Sequence, residues 1–279
     1  MYNYKNHRSN YHTHTYLCRH AEGRVIDYVK KAVKEGFHTL GMTDHAPFEL
    51  LRRWGSGRMS PAEYLNEYLP MLDEADDYAK KHNLKLYRGV EIEYYRGYND
   101  HYEKLLEDLD FLILGEHYLY ENGKLRSSYD IKTLRDVIYY RDQLIEGLET
   151  GYFSLLCHPE VCFYSIPNPT EEMYEALRPL IKVAVKMDIS IEINANGIRR
   201  LGYSDKVDFD RYKQYVYPKP RFWQIAKEEG ATAIITSDSH SLDTINDWAV
   251  KEAYQFAKDM GVHLIEELPF RNNKFRKKG

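Results

Sequence analysis

Apolar and polar positions follow two rhythms along the chain: short runs of consecutive apolar residues, and longer stretches in which apolar residues return every three or four positions. The first rhythm predicts buried strands and the second amphipathic helices, so their alternation predicts parallel strands joined by helices. In "GRVIDYVKKAVKEG", Ile26, Val29, Ala32 and Val33 recur at helical spacing and Gly36 supplies a stop. "TLGMT" at 39–43 reads as a strand by its length and flanks. The next helix begins with Ser60 as N-cap, Pro61 at the first helical position and Glu63 closing a capping box. Leu65, Leu69, Leu72 and Ala79 mark its expected buried side, and Pro70 is expected to kink it.

Strands are expected at 84–94, 111–117, 154–158, 189–194 and 232–238, with helices at about 130–149, 170–187, 220–229 and 247–259. The opening "NYHTH" brings the strands to seven, and "VHLI" near 262 offers an eighth. No Gly/Ser-rich or low-complexity stretch divides the chain, no short repeat occurs, and no G-x-G-x-x-G fingerprint is present. A single parallel barrel of α/β class, incomplete or distorted, is therefore expected over an open sheet. At 279 residues, one undivided domain over 1–279 is expected, with the end at about 270–279 as a solvated tail.

The pattern also places the histidines. His12 and His14 lie on the first strand, where residues two apart point to the same side, and His20 follows closely. His45 follows the second strand, Glu91 lies in the third, His117 ends the fourth, His158 ends the fifth, and Asp238 and His240 end the last. In a parallel barrel all strand C-termini open onto one face. Seven of the 12 histidines thus converge there, leaving His7, His38, His82, His101 and His263 as surface or packing residues.

Taken singly, each has an ordinary explanation. A strand-end histidine packs well half-buried, Glu91 can pair with Arg88 or Arg96, and Asp238 can cap the segment after it. Five separate strand ends carrying such residues for unrelated reasons is the less economical account, and a metal centre is expected. Imidazoles and carboxylates without thiolates suit zinc, iron or manganese and are too nitrogen-rich for magnesium or calcium. Nine candidate ligands exceed the needs of one ion, so two or three ions bridged by a carboxylate are implied. Cys18 sits among them and is read as a packing residue.

Composition narrows the class. An apolar share of 43%, a charged share of 29% and a net charge of -4 describe a globular chain with no long-range pull toward nucleic acid or anionic membrane. The three cysteines, Cys18, Cys157 and Cys162, form no framework of pairs, which fits a reducing, cytoplasmic setting. The N-terminus lacks a signal-peptide pattern, and no run of about 18 apolar residues occurs, so neither secretion nor membrane insertion is expected.

The ordered motifs "HTHT", "C.HA", "TDHAP", "GVEIEY", "GEHYL", "CHPE", "EINANGIR", "YPKPRFW" and "SDSH" resemble the polymerase and histidinol phosphatase (PHP) family, most of all its stand-alone histidinol-phosphate phosphatases. The resemblance spans about residues 10–240 and implies a distorted (β/α)7 TIM-like barrel. By resemblance, His12, His14, Glu91 and Asp238 hold one ion, and Glu91 bridges to a second held by His117 and His158. His20, His45 and His240 hold the third. The implied reaction is attack of a metal-bridging hydroxide on a phosphomonoester, histidinol phosphate being the leading substrate. Asp44 would sit behind the ligands or pass a proton to the leaving group, and Arg199 in "NANGIRR" would cradle the phosphate, with Arg200 a solvated loop residue.

Two features depart from the family pattern. The loop "HPEVCFYSIPNP" offers no Arg or Lys as a second cradle residue, and Glu116 stands where the family tends to have a small or apolar residue. The expected partner is a small phosphorylated metabolite. A nuclease of the same family is the main alternative, opposed by the acidic balance and the absence of a basic stripe, and a degenerate metabolite sensor is the weakest.

Overall fold

The computed structural model describes residue 4 and residues 7–52, 55, 57–200 and 211–270. Ten strands are present among them: β1 Ser9–Asn10, β2 Thr39–Met42, β3 Lys85–Ile92, β4 Phe111–Leu114, β5 Tyr118–Glu121, β6 Lys124–Ser127, β7 Phe153–Leu156, β8 Ser190–Asn194, β9 Thr232–Thr236 and β10 His263–Ile265. Eight form one sheet in the order β1-β2-β3-β4-β7-β8-β9-β10, every neighbouring pair parallel. At the C-terminal face the first and last core strands meet: Thr13 bridges Ser239, His14 N–H donates to Ser239 O at 2.9 Å, and Ser239 N–H donates to His12 O at 3.2 Å. At the opposite face β10 lies along β9, and the Ser9 hydroxyl donates to Glu266 O. The sheet is therefore a distorted TIM-like barrel, joined through seven strands at the top with an eighth strand at its base.

Helices Val25–Glu35, Leu69–Lys81, Asn99–Asp108, Leu134–Glu149, Glu171–Lys186, Pro220–Glu228 and Trp248–Met260 provide the outer layer. In the first, Val29 and Ala32 are buried as expected, with Val25 and Tyr28 beside them, while Ile26 and Val33 are half-buried. The capping box at Ser60 forms: its side chain accepts from Glu63 N–H, and Ser60 N–H donates to Glu63 at 2.8 Å. Pro70 is accommodated by a π-helical turn over Tyr64–Tyr68, where Leu69 N–H reaches back to Tyr64 O. Widening the turn before a proline relieves the ring's clash with the preceding carbonyls. Leu65 does not face the core as expected; it is 56% exposed, and Tyr64, Tyr68, Met71, Leu72, Ala75 and Ala79 form the buried edge. Tyrosines take that edge because the rings bury apolar area while Tyr68 Oη still donates to Gly89 O at 2.8 Å.

The barrel interior is divided by height. Its floor is an apolar plug of Tyr11, Phe111, Ile113, Leu155, Cys157, Ile234 and Leu268, with Phe270 packed beneath. Polar side chains sit above it: Glu91 on β3, Glu192 on β8 and Thr236 on β9 are all buried. Among the described residues, strand and helix alternation is interrupted by the antiparallel hairpin β5–β6 after β4, turning at Asn122 and Gly123 with φ of 52° and 78°. The tail expected over 270–279 lies, beyond Phe270, outside the described residues. No helix among the described residues is long and apolar enough to cross a membrane.

Candidate metal centre

The nine side chains singled out in the sequence come together at the C-terminal mouth of the barrel. Glu91 is the hub. Its Oε2 lies 3.4 Å from His12 Nε2, 3.6 Å from His14 Nε2 and 3.0 Å from His45 Nδ1. Its Oε1 lies 2.8 Å from His158 Nε2 and 3.6 Å from His117 Nε2. Asp238 Oδ1 stands 3.2 Å from His14 Nε2, 3.6 Å from His12 Nε2 and 3.4 Å from His240 Nδ1. The His240 ring stacks on those of His14 and His20 at 4.2 and 4.9 Å, and His20 lies 5.4 Å from His45. Arg88 and Arg96 turn away to Asp73 and Glu146, so neither neutralises Glu91.

Local structure holds this cluster open. Gly115, just past β4, is required because a Cβ there would lie 2.2 Å from Glu91 Oε1. His158 and Asp238 occupy positive φ, 25° and 45°, a conformation that costs a non-glycine residue about 1–3 kcal/mol and persists only where neighbours enforce it. Asp238 is held by amide donors from Asn194 and Asn196, each at 3.1 Å.

A second layer of carboxylates orients the imidazoles; the sequence singles out Asp44 among them but not Glu192 or Glu93. Glu192 is fully buried and accepts from His12 Nδ1 at 2.6 Å, His158 N–H at 2.8 Å, Asn194 Nδ2 at 2.9 Å and Thr236 Oγ1 at 2.5 Å. Glu93 does the same for His117 Nδ1 at 3.1 Å and pairs with the buried Arg58. Asp44 is buried too. It accepts from Thr15 N–H at 3.1 Å, from the Thr15 hydroxyl and from His45 N–H at 2.7 Å, and its Oδ1 lies 3.5 Å from His14 Nδ1. Carboxylates behind ligating imidazoles fix ring orientation and tautomer.

The donor set fits a divalent cation. The ligand atoms of His12, His14 and Asp238, of His14, His45 and Glu91, and of His12, Glu91 and His158 each lie within 4.8 Å of one another. His12 Nε2, His45 Nδ1, Glu91 Oε2 and Asp238 Oδ1 are buried and make no hydrogen bond, although buried polar atoms rarely go without one. Burial opposes ionisation of Glu91 and Asp238, yet surrounding imidazoles hold both well below the ordinary carboxylate range. Burial likewise opposes a charge on His14, but Asp238 and Asp44 draw it up to about 9. A field that pulls protons onto imidazoles stabilises a metal cation in the same place. Burial pushes the Cys18 thiol up to about 12, keeping it neutral beside His14 and His240 in its packing role.

A cavity of about 800 Å³ opens above this floor. Its wall carries Tyr118, Tyr129, Tyr164 and Tyr217 and three arginines, Arg58, Arg199 and Arg200. Arg199 donates from Nε and Nη2 to Asp247 at 2.7 and 3.2 Å, from Nη1 to Asn196 Oδ1 and Ser237 O, and from Nη2 to Thr244 O. Arg200 is exposed, as expected, but its guanidinium sits over the Tyr164 ring, 5.6 Å from the centroid, within the cavity wall. Glu116 is buried away from the cavity, and burial with Glu93 nearby pushes its carboxyl well above the usual range. The "HPE" and "YPKP" motifs interlock: Glu160 accepts from Lys219 N–H and, at 3.0 Å, from Trp223 Nε1.

The chain is similar to several known proteins over most of its length. A protein of Deinococcus radiodurans named "Probable histidinol-phosphatase" is 26% identical over 280 residues, covering 95% of this chain and 97% of that one. The crystal structure of hisK from Listeria monocytogenes superposes with a TM-score of 0.70 at 20% identity, over 87% of this chain and 99% of that one. Histidinol phosphate phosphatase from Lactococcus lactis, solved with zinc, L-histidinol and phosphate, gives 0.66 at 17% identity, over 93% and 95%. The family model described as PHP domain matches residues 10–196, more than half of the chain, and this protein belongs to that family.

Proposed function

We propose that this protein is a metal-dependent phosphomonoesterase that hydrolyses L-histidinol phosphate to L-histidinol and phosphate. The observation that carries the reading is Glu91, whose two oxygens face separate sets of imidazoles, as a carboxylate shared between two ions must. The name of the Deinococcus relative supports the substrate, and so do the ligands of the Lactococcus structure. We assign His12, His14, Glu91 and Asp238 to one ion, Glu91, His117 and His158 to a second, and His20, His45 and His240 to a third. The ions would be zinc, iron or manganese, as the nitrogen and oxygen donors favour. When bound, such ions lower the pKa of water toward neutrality and offset the charge of a phosphoryl group.

The chain's own residues complete the work. Glu192 and Glu93 keep Nδ1 of His12 and His117 engaged, leaving each Nε2 directed at Glu91. Asp44 holds His14 from behind, and its engaged oxygens favour that role over proton delivery to the leaving alkoxide. The arginines on the wall, Arg199 among them, supply positive charge toward the phosphate, and the tyrosines bound the space for its organic part. The buried, unpaired cysteines Cys18, Cys157 and Cys162 support the cytoplasm as the place of action.

The test is phosphate release by metal-loaded protein across a panel of amino-alcohol and sugar phosphates, with an oligonucleotide alongside. Histidinol phosphate should be turned over fastest. Protein inert to every phosphomonoester but active on the oligonucleotide would overturn the reading.

A further inference from the structure

A phosphate dianion bound in a cavity needs donors from more than one side, yet the loop following β7 offers no cationic residue. The structure brings one from the opposite direction in sequence. Arg58, two residues before the Ser60 cap, is 5% exposed and borders the cavity beside His45 and His117. Its guanidinium pairs with Glu93, its Nη2 approaches His117 Nδ1 to 3.4 Å, and its carbon lies 5.6 Å above the Tyr118 ring. Burying a guanidinium is costly, and Glu93 offsets that cost while fixing the orientation of the planar fork. The result is a pre-set cation on the wall nearest His117, one imidazole removed from the Glu91 oxygen that faces His117 and His158. The other two arginines stand elsewhere on the wall: Arg199 donates to Asp247, Asn196, Ser237 and Thr244, and Arg200 is exposed over Tyr164.

We propose that Arg58 is a phosphate-contacting residue, reaching the phosphoryl oxygens from the His117 side of the cavity while Glu93 anchors it. This rests on the phosphatase reading above. A residue that merely neutralised Glu93 would act through His117 and would be felt in metal retention instead of phosphate affinity.

The experiment is calorimetric titration of metal-loaded protein with inorganic phosphate, together with kcat and KM on histidinol phosphate, for wild type, Arg58→Lys and Arg58→Met. Arg58→Lys keeps the charge but loses the fork, and it decides the matter should Arg58→Met fail to fold over an unpaired Glu93. Phosphate affinity is expected to fall about 10-fold in the lysine variant and about 100-fold in the methionine variant, the scale of charge-assisted hydrogen bonds. KM should rise more than kcat falls, at unchanged metal stoichiometry. Phosphate affinity within twofold of wild type, or a loss of metal that accounts for the loss of phosphate, would overturn the proposal. Failure of the phosphatase reading shows separately, as wild-type protein that turns over no phosphomonoester, and the phosphate titration still judges Arg58.

Discussion

Replacing Glu192 by glutamine changes one atom, and the structure shows where that change lands. Each carboxylate oxygen accepts two bonds: Oε1 from His12 Nδ1 and Thr236 Oγ1, Oε2 from His158 N–H and Asn194 Nδ2. A glutamine must aim its NH2 at one of these pairs. Facing His158 N–H and Asn194 Nδ2 it would oppose two obligate donors, at about 1–3 kcal/mol for each group left unsatisfied. Facing His12 and Thr236 it meets groups that can both turn acceptor, the hydroxyl by rotating and the imidazole by changing tautomer. The second arrangement wins and moves the His12 proton to Nε2, the nitrogen 3.4 Å from Glu91 and 3.6 Å from Asp238. A protonated nitrogen cannot ligate a metal. Glu192→Gln is therefore expected to weaken metal binding about 10- to 100-fold, the usual range for a lost partner behind a ligand. Stability of the metal-free fold should change by only about 1–2 kcal/mol, because lost charge-assisted bonds are offset by relief of a buried charge. Chelator competition reads the first quantity and urea unfolding in excess chelator the second. Wild-type metal affinity in a folded variant would refute the reasoning, since His12 would then not depend on Glu192 for its tautomer.

Other expectations follow from single contacts. Gly115→Ala should push the Glu91 carboxylate aside, because the new Cβ would lie 2.2 Å from Oε1. Elemental analysis should find it short of metal, and a full complement would show that Glu91 can move without consequence. His7 is buried against Phe37 and Tyr254, and burial, with Arg8 beside it, pulls its pKa from 6.5 down to about 3. A depressed native pKa means that the unfolded chain binds the proton first. Stability from this group is complete above pH 6.5 and is lost as pH falls toward 3, by about 2 kcal/mol at pH 5. Between pH 7 and 5 the wild type should lose about that much more stability than His7→Phe in urea unfolding, whereas parallel curves would contradict the assignment.

The strand-end histidines were legible because a parallel barrel converts a linear pattern, apolar run then polar tip, into convergence on one face. The layer behind them was harder to read. Glu192 sits inside the apolar run "ISIEIN", where a carboxylate has no meaning until His12 and His158 arrive beside it from remote strands. Glu93 carried a usable signal: within the strand expected over 84–94 it stands two residues from Glu91, which puts both on one side. The β5–β6 hairpin carried one as well, since Asn122-Gly123 between alternating residues is the strongest short hairpin pattern. Arg58 had none, lying in an irregular loop whose place over Tyr118 depends on tertiary packing. Leu65 was misplaced because the apolar pattern counted leucines and passed over Tyr64 and Tyr68, whose rings occupy the buried edge.

Glu91 and its ring of imidazoles are expected to bind several cations at once. Elemental analysis of protein stripped with chelator, reloaded with zinc, iron or manganese and freed of excess ion measures this directly. Two to three equivalents per chain are predicted for the wild type, falling below one in Glu91→Ala. A wild-type protein that retains less than one equivalent of any of these metals would contradict the account.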